Sequence, residues 1–274
     1  MRRILFGAII AGSFVGSGFA ADLPPMSRVA PAALPPAFSW TGTYVGVNLG
    51  GIWGTFDFDP STTNNLTGVG TGIPRTSIDK SAVIGGFQTG YNWQIGNVVL
   101  GVEQDLQFTN MKTSFAYGAA PGGALVAGDG FSAKVDFLSA TRLKLGYAWD
   151  RVMIYAAGGL ETGVLDVSGN YAARFLGSPA TSFTDQHKFH AGWTVGAGLE
   201  YAMTNNLFLG VDYRYFDLGA ETYNLGAVTP GIVIPGIGAF PGATSTVASN
   251  VNLRASEITA RLNLKLNGLG WFGM

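Results

Sequence analysis

Residues 188–217 read KFHAGWTVGAGLEYAMTNNLFLGVDYRYFD, and this stretch decides the fold. Trp193, Val195 and Leu199 share one parity, opposite several glycines and Glu200, and the alternation resumes after a short polar connection. A period of two is typical of β-strands whose two faces meet different surroundings. A helix is disfavoured because each glycine costs about 1 kcal/mol relative to alanine inside one. The stretch therefore predicts a β-hairpin.

The same alternation recurs along the chain and predicts eight strands. Three connections are short and polar, whereas four are long and rich in Gly, Pro, Ser, Thr and Asn. Short turns on one rim and long loops on the other are typical of outer-membrane barrels, with the short side in the periplasm. The predicted fold is all-β: an eight-stranded antiparallel up-and-down transmembrane β-barrel with short periplasmic turns and four long extracellular loops. The strands are 43–53, 80–93, 98–109, 134–147, 152–163, 188–202, 207–217 and 251–266; the short turns are 94–97, 149–151 and 204–206, and the long loops are 54–79, 110–133, 164–187 and 218–250.

Composition excludes several classes of function. Of the 274 residues, 41 are Gly and only 12% are charged, against about 25% charged in a typical soluble domain. The absence of cysteine rules out disulfides, thiolate metal sites and thiol catalysis. The net charge of −1, without a basic patch, offers no field for nucleic acid. We expect a protein that is not an enzyme and has no cofactor, no metal and no catalytic residue.

Charged residues within the predicted strands mostly share the parity opposite the large apolar residues. A charge that faces lipid at mid-depth costs about 2–4 kcal/mol, whereas interior charges can pair with one another. Apolar residues are therefore expected to face lipid and charges the lumen, while a soluble ligand-binding barrel would reverse the two faces. The predicted lumen charge network, a structural filling of the interior or the lining of a narrow pore, consists of Glu103, Asp105, Asp136, Arg142, Lys144, Glu200, Asp212, Arg214, Arg261 and Lys265.

Aromatic residues collect towards the ends of the predicted strands. Trp and Tyr are enriched at both membrane interfaces, where their rings meet the headgroups. The predicted interfacial aromatics are Trp40, Tyr91, Trp93, Tyr147, Trp149 and Tyr201.

The N-terminal residues predict export. Residues 1–20 begin with Arg2 and Arg3, continue through an apolar segment and end in small residues, which is typical of a secretory signal peptide on the Sec pathway. The Pro-rich residues 21–37 are expected to form a periplasmic tether, which leaves residues 38–274 for the barrel.

Six short motifs in order carry a family resemblance. They include FSWTGTYVG at 38–46, GYNWQ at 90–94 and GAGLEY at 196–201 followed by YRY at 213–215. The chain resembles the alphaproteobacterial outer-membrane barrels that include the major surface antigens of brucellae and their rhizobial relatives, akin to OmpA-type and OmpX-type barrels and described as a porin family. The resemblance implies an abundant integral protein of the Gram-negative outer membrane and supplies no catalytic residue.

The expected function is to contribute to envelope integrity and surface presentation, and the alternative is a narrow porin-like channel for passive diffusion of small solutes. Expected partners are outer-membrane lipid, lipopolysaccharide, the barrel-insertion machinery and host or surface ligands of the loops, with the protein itself a monomer. His187 and His190 form an H-x-x-H motif, but their odd spacing sends them to opposite faces of a strand, which disfavours a shared metal.

Overall fold

The structure is a computed structural model that describes residues 38–64, 75–116, 130–175, 178–228, 232–234, 238–240 and 245–266. The predicted signal peptide and Pro-rich tether lie outside the described residues. The described residues contain no helix long and apolar enough to span a membrane.

Eight long strands form a closed antiparallel barrel in the order β1-β10-β7-β6-β5-β4-β3-β2, which confirms the predicted fold class. A separate two-stranded pair, β8 and β9, lies between the last two barrel strands in sequence. The strands are β1 (Gly42–Asn64), β2 (Thr76–Ile95), β3 (Val98–Ala116), β4 (Gly130–Trp149), β5 (Val152–Phe175), β6 (Ser178–Ala202), β7 (Leu207–Val228), β8 (Ile232–Ile234), β9 (Gly238–Phe240) and β10 (Ser245–Lys265).

The barrel closes between its first and last strands. Tyr44 on β1 is the register partner of Lys265 on β10, and the backbone N–H of Leu266 donates to Thr43 O at 2.8 Å. A row of register partners that starts at Tyr91 and follows the barrel around returns to β2 at Ser81, ten residues away. This stagger tilts the strands, as closure of an eight-stranded sheet requires.

The three short turns lie at one end of the barrel, where they were predicted. Gly96 and Asp150 have positive φ angles of 61° and 51°, as tight hairpin turns require. The long loops are shorter than predicted, because the strands continue into them. The largest correction concerns 164–187, where β5 and β6 remain paired up to Phe175 and Ser178.

The two faces of the wall differ as predicted. Leu145 and Val211 are 58% and 52% exposed on the outside, whereas their neighbours Lys144 and Asp212 are 2% and 0% exposed in the interior. We call the outward band of apolar side chains the apolar belt. At the end away from the short turns, its edge on β3 to β6 is the row of register partners Phe108, Phe137, Val164 and Phe189.

A β-bulge interrupts the alternation just beyond this edge. The ladder shifts between Val135 and Phe137 on β4, and between Phe108 and Met111 on β3. Val135 is completely buried in the interior although Phe137 lies on the outer side. The extra residue at Asp136 therefore reverses the parity of the remainder of β4.

Candidate functional site

The candidate site is the layer of charged side chains across the middle of the barrel. Glycines make room for it: each of the four long basic side chains has a glycine as a cross-strand neighbour, in the pairs Gly101 with Lys144, Gly159 with Arg142, Gly196 with Arg214, and Gly210 with Arg261. A side chain at these positions would compete for the same interior volume, since eight strands enclose about enough space for side chains alone.

Arg142 and Arg261 lie at the centre of this layer. Arg142 contacts Glu103 at 2.6 Å and Asp212 at 2.9 Å. Arg261 reaches Glu103 at 2.9 Å and Asp105 at 2.8 Å. Since each carboxylate is shared between guanidinium groups and all five side chains are buried, the charges compensate one another away from water.

Lys144 extends the network towards the short turns. Its Nζ lies 3.1 Å from Glu103 and 3.3 Å from Glu200, and 4.4 Å from the centroid of the Tyr155 ring. The Tyr44 hydroxyl donates to Glu103 at 2.6 Å. The Tyr44 hydroxyl and the Lys144 ammonium group thus share one carboxylate oxygen of Glu103, Oε2.

Arg214 extends the network in the opposite direction. It contacts Glu257 at 2.9 Å, Asp105 at 3.4 Å and Glu161 at 3.5 Å. Glu161 and Glu257 were not among the predicted network residues, and both are completely buried. The missed signal was parity, because the alternation that places Arg261 inside also places Glu257 inside.

Neutral side chains complete the polar layer. Gln88 donates to Asn263 at 2.7 Å and accepts from Asn48 at 2.7 Å, while Gln107 donates to Glu257 at 3.1 Å. All of these side chains are buried. Polar side chains therefore fill the interior across the width of the barrel.

Apolar clusters lie on both sides of the charged layer. The cluster towards the outer mouth packs aromatic residues such as Phe56, Phe58 and Phe216 against aliphatic ones. The cluster at the short-turn end contains Trp40, Phe208 and Met153. The charged layer is thus enclosed between two apolar layers.

The structure corrects the prediction that Trp40 is an interfacial aromatic. Five of the six predicted interfacial aromatics are exposed on the outside near the short turns, with Trp93 at 57% and Trp149 at 52% exposure. Trp40 is instead 0% exposed, with its ring centroid 4.9 Å from that of Phe208 and its Nε1 donating to Asp150 O at 3.1 Å. Residues 38–41, which precede β1, fold beneath the barrel, so Trp40 closes its short-turn end rather than facing the interface.

Asp136 and Lys265 do not join the central network. The prediction for Asp136 was wrong because the bulge changes its face: it is exposed and contacts Lys134 at 2.6 Å. Lys265 is 6% exposed at the short-turn end, where its Nζ donates to Ser39 O at 2.5 Å. The other eight predicted lumen residues lie together in the interior layer.

The two histidines lie on opposite faces beyond the charged layer. His190 is buried and its Nε2 lies 2.9 Å from the Tyr223 hydroxyl. His187 is exposed beyond the apolar belt, and its hydrogen bond with Asp166 raises the pKa of the imidazole above its ordinary value. Within the part of the chain that the structure describes, no group of three His, Asp or Glu side chains is placed to hold a metal ion.

A closed barrel with apolar side chains outside and paired charges inside defines the class of integral outer-membrane β-barrel proteins, because closure satisfies every backbone group within the hydrocarbon. The family model described as the outer membrane protein beta-barrel domain matches residues 25–233, and the chain belongs to this family. It is therefore a protein of the Gram-negative outer membrane, to which such proteins are exported by the Sec pathway.

Two relatives illustrate the relationship. The 31 kDa outer-membrane immunogenic protein of Brucella melitensis biotype 1 is 39% identical over 230 residues, which cover 80% of this chain and 88% of the relative. The 22 kDa outer membrane protein of Rhizobium leguminosarum bv. viciae is 29% identical over 231 residues, which cover 81% and 89%. Among solved structures, the outer membrane protein OprG from Pseudomonas aeruginosa has a TM-score of 0.42 and 13% identity, over 84% of this chain and 99% of that one.

Proposed function

We propose that the protein is a non-conducting, non-catalytic wall element of the outer membrane that contributes to envelope integrity and presents its outer loops at the cell surface. The observation that carries this proposal is the filled interior. Arg142, Arg214 and Arg261 are at most 1% exposed, although arginine is among the longest side chains. A lumen wide enough for solutes would leave such groups wetted.

Closure on three levels supports the same proposal. A solute that entered from the outer mouth would meet the apolar cluster around Phe58, then the ion pairs of Arg142, then the ring of Trp40. Opening all three levels together would break buried ion pairs. Such pairs are costly to break, since loss of one partner lowers the unfolding free energy by about 3–5 kcal/mol.

The proposed partners follow from this placement. Outer-membrane lipid and lipopolysaccharide contact the apolar belt, the barrel-insertion machinery receives the unfolded chain, and surface ligands meet the loops. Within the apolar belt every barrel strand is paired on both sides, so a second copy has no strand edge there to extend, which supports a monomer.

Passive diffusion of small solutes through the lumen is the rival function. Glu161 keeps both carboxylate oxygens without a hydrogen-bond partner among the described residues, although it is buried. Such a group favours a hydrated path, since a buried polar atom without a partner is costly unless water reaches it.

Planar-bilayer recording of the refolded full chain separates the two functions. We expect silence from the wild type and also from Trp40→Ala, since the charged layer still closes the lumen in that variant. Reproducible unitary steps from the wild type would overturn the proposal. Steps from Trp40→Ala alone would show that the segment before β1, rather than the charged layer, is the seal.

A further inference from the structure

Beyond the apolar belt the barrel wall is interrupted along two seams between neighbouring strands. Pairing between β2 and β3 ends at Ile84 with Thr109, although both strands continue past this pair. Pairing between β6 and β7 ends in the same way at Trp193 with Asp217. The outer part of the wall therefore consists of two four-stranded sheets, one of β3 to β6 and the other of β7, β10, β1 and β2, and both contribute to the outer apolar cluster.

Side chains close the seam between β6 and β7. On β6, Gln186 donates to Asn224 O of β7 at 2.8 Å and accepts from the backbone N–H of Asn224 at 3.2 Å. Two residues further along β6, Lys188 donates to Thr222 O of β7. These two strands thus remain joined where their backbone ladder has ended.

The β2 side of the other seam presents a row of backbone groups. In the ladder below it, the odd-numbered residues of β2 turn their N–H and C=O groups towards β3, because Ile95 and Val98 flank a two-residue turn as a hydrogen-bonded pair. Val83 continues this row, since its carbonyl accepts from the Thr109 hydroxyl at 2.9 Å. Ser81 is next in the row, and among the described residues it has no register partner on this side. An unpaired row of this kind is a template for another strand.

The floor of this open seam is apolar with one positive charge. Ile78 on β2 and Phe115 on β3 are partly buried and pack against the outer apolar cluster. Lys80 shares the inward parity of Ile78 but is exposed. In the part of the chain that the structure describes, the carboxylates nearby are engaged elsewhere: Asp79 accepts from the Thr55 hydroxyl on the outer face, and the others pair with arginines. The charge of Lys80 is therefore available to an acidic side chain.

The membrane disfavours a second copy of this chain as the added strand. Strands of such barrels tilt by about 35–45°. Two copies in one membrane tilt in the same sense, so the strands of their facing walls cross at about 70–90°. A β-ladder needs neighbouring strands that are nearly aligned, and two copies would also bring like charges together. An extended segment of a protein that is not anchored in the same membrane has neither constraint.

We propose that the open seam between β2 and β3 is a strand-addition site for an extended, acidic segment of a protein outside the cell. The backbone of this segment pairs with the β2 groups at Ser81 and Val83. Its alternate apolar side chains rest on Ile78 and Phe115, and an acidic side chain meets Lys80. In this mode of recognition main-chain hydrogen bonds supply affinity and the contacts of alternate side chains supply specificity. The inference rests on the outer-membrane location and is independent of whether the interior conducts.

The test uses a synthetic nine-residue peptide of alternating valine and threonine in which the central valine is replaced by glutamate. Fluorescence polarisation measures its binding to the full chain in phosphatidylcholine nanodiscs, and amide hydrogen exchange followed by NMR locates it. Two control peptides have the same length. One carries a methyl group on every backbone nitrogen, which removes all main-chain donors, and the other has lysine in place of glutamate.

The test variant is Ser81→Pro. It removes one N–H from the open row and leaves the bonds between β2 and β1 intact, because this N–H points away from β1. Proline is tolerated at an edge position of this kind. Ser81→Ala is the matched control, since it removes the hydroxyl group and keeps the N–H. Fast migration on unboiled gels verifies that each variant is folded.

We expect the glutamate peptide to slow exchange of the Ser81 and Val83 amides. Ser81→Pro should weaken binding about fivefold, the factor for one hydrogen bond, whereas Ser81→Ala should bind as the wild type does. The proposal is overturned if the glutamate peptide does not bind, if the two variants bind it equally, or if either control peptide binds as tightly. Protection of the two amides in the absence of peptide would also overturn it, because the chain itself would then cover the row.

Discussion

Arg142 shows how strongly a single interior residue is tied to its partners. Arg142→Met keeps much of the side-chain volume but leaves Glu103, Asp105 and Asp212 with fewer counter-charges. We expect a loss of about 3–5 kcal/mol of unfolding free energy, measured by urea titration of the refolded protein. The exposed pair of Arg75 and Asp59 provides the control, since Arg75→Met should cost less than about 1 kcal/mol. Equal losses for the two variants would contradict a buried, coupled network.

His187 is the residue whose titration the structure predicts. The protonated imidazole of His187 donates a hydrogen bond to the Asp166 carboxylate, which raises the pKa of His187, so the pair is present while the imidazole is protonated and weakens as pH rises through that raised value. Proton NMR of the micelle-bound protein should show His187 titrating above about 6.5, the ordinary value. Asp166→Asn should bring it back towards that value, and an unchanged titration would exclude the contact.

Leu262 and Lys265 test the two faces of one strand. Leu262 points out from the apolar belt and Lys265 points inward at the short-turn end. Leu262→Arg should cost about 2–4 kcal/mol because the charge faces hydrocarbon, whereas Lys265→Ala loses one hydrogen bond, worth about 1 kcal/mol. The yield of folded barrel in lipid vesicles measures both. Similar yields would mean that the faces are reversed.

At the scale of the element, the sequence predicts the part of each strand that crosses the membrane and not the part that continues beyond it. Within the belt, lipid on one side and packed charge on the other impose a strict alternation. Beyond the belt, water replaces lipid at the outer face. The segment of β5 from Val164 to Phe175 therefore lacks a strict alternation of apolar and polar residues. Glycine, serine and threonine in that region therefore predicted a loop where the structure has a hairpin.

The bulge at Asp136 marks a second limit of the sequence. An inserted residue leaves no signal in the composition, and it reverses the parity on which the predicted interior position of Asp136 depended. Alternation likewise could not show that Trp40 folds beneath the barrel, because that position precedes the first strand.

Cysteine labelling tests the bulge directly, since the native chain contains no cysteine. A membrane-impermeant maleimide should label Lys134→Cys, which faces outward beyond the belt, and should spare Val135→Cys, which is buried. Leu145→Cys, within the belt, should resist the same reagent in vesicles. Labelling of position 135 in preference to 134 would show that the regular parity persists and that the bulge is absent.

At the scale of the whole molecule, ladder hydrogen bonds and interior ion pairs should resist detergent together. We expect the unboiled protein to migrate faster on a detergent gel than the boiled protein, because the compact barrel survives at room temperature. A single band at the position of the unfolded chain under both conditions would contradict a closed barrel. Arg142→Met is expected to lose the fast band at a lower temperature than Arg75→Met.

Most of the interior layer was predictable from parity, because Glu103, Arg142 and Arg261 each occur in regular stretches of strand. Parity could not show which charged side chains form ion pairs with one another. Arg254 on β10 is the register partner of Asp217 on β7, yet its ion pair is with Asp57 on β1, the strand on its other side, at 2.5 Å. Pairing depends on side-chain reach across a tilted wall, which no one-dimensional pattern contains.

The continuation of β5 and β6 past the bilayer has a consequence for how the surface can diversify. Phe175 lies eleven positions beyond Val164, so β5 extends about 35 Å along the strand past the edge of the apolar belt, at roughly 3.3 Å per residue. Backbone pairing between β5 and β6 holds the end of this hairpin and does not depend on contact with lipid. Substitutions near the end of this hairpin are therefore expected to leave assembly of the cylinder intact, so the surface of the protein can vary there without a change in its buried framework.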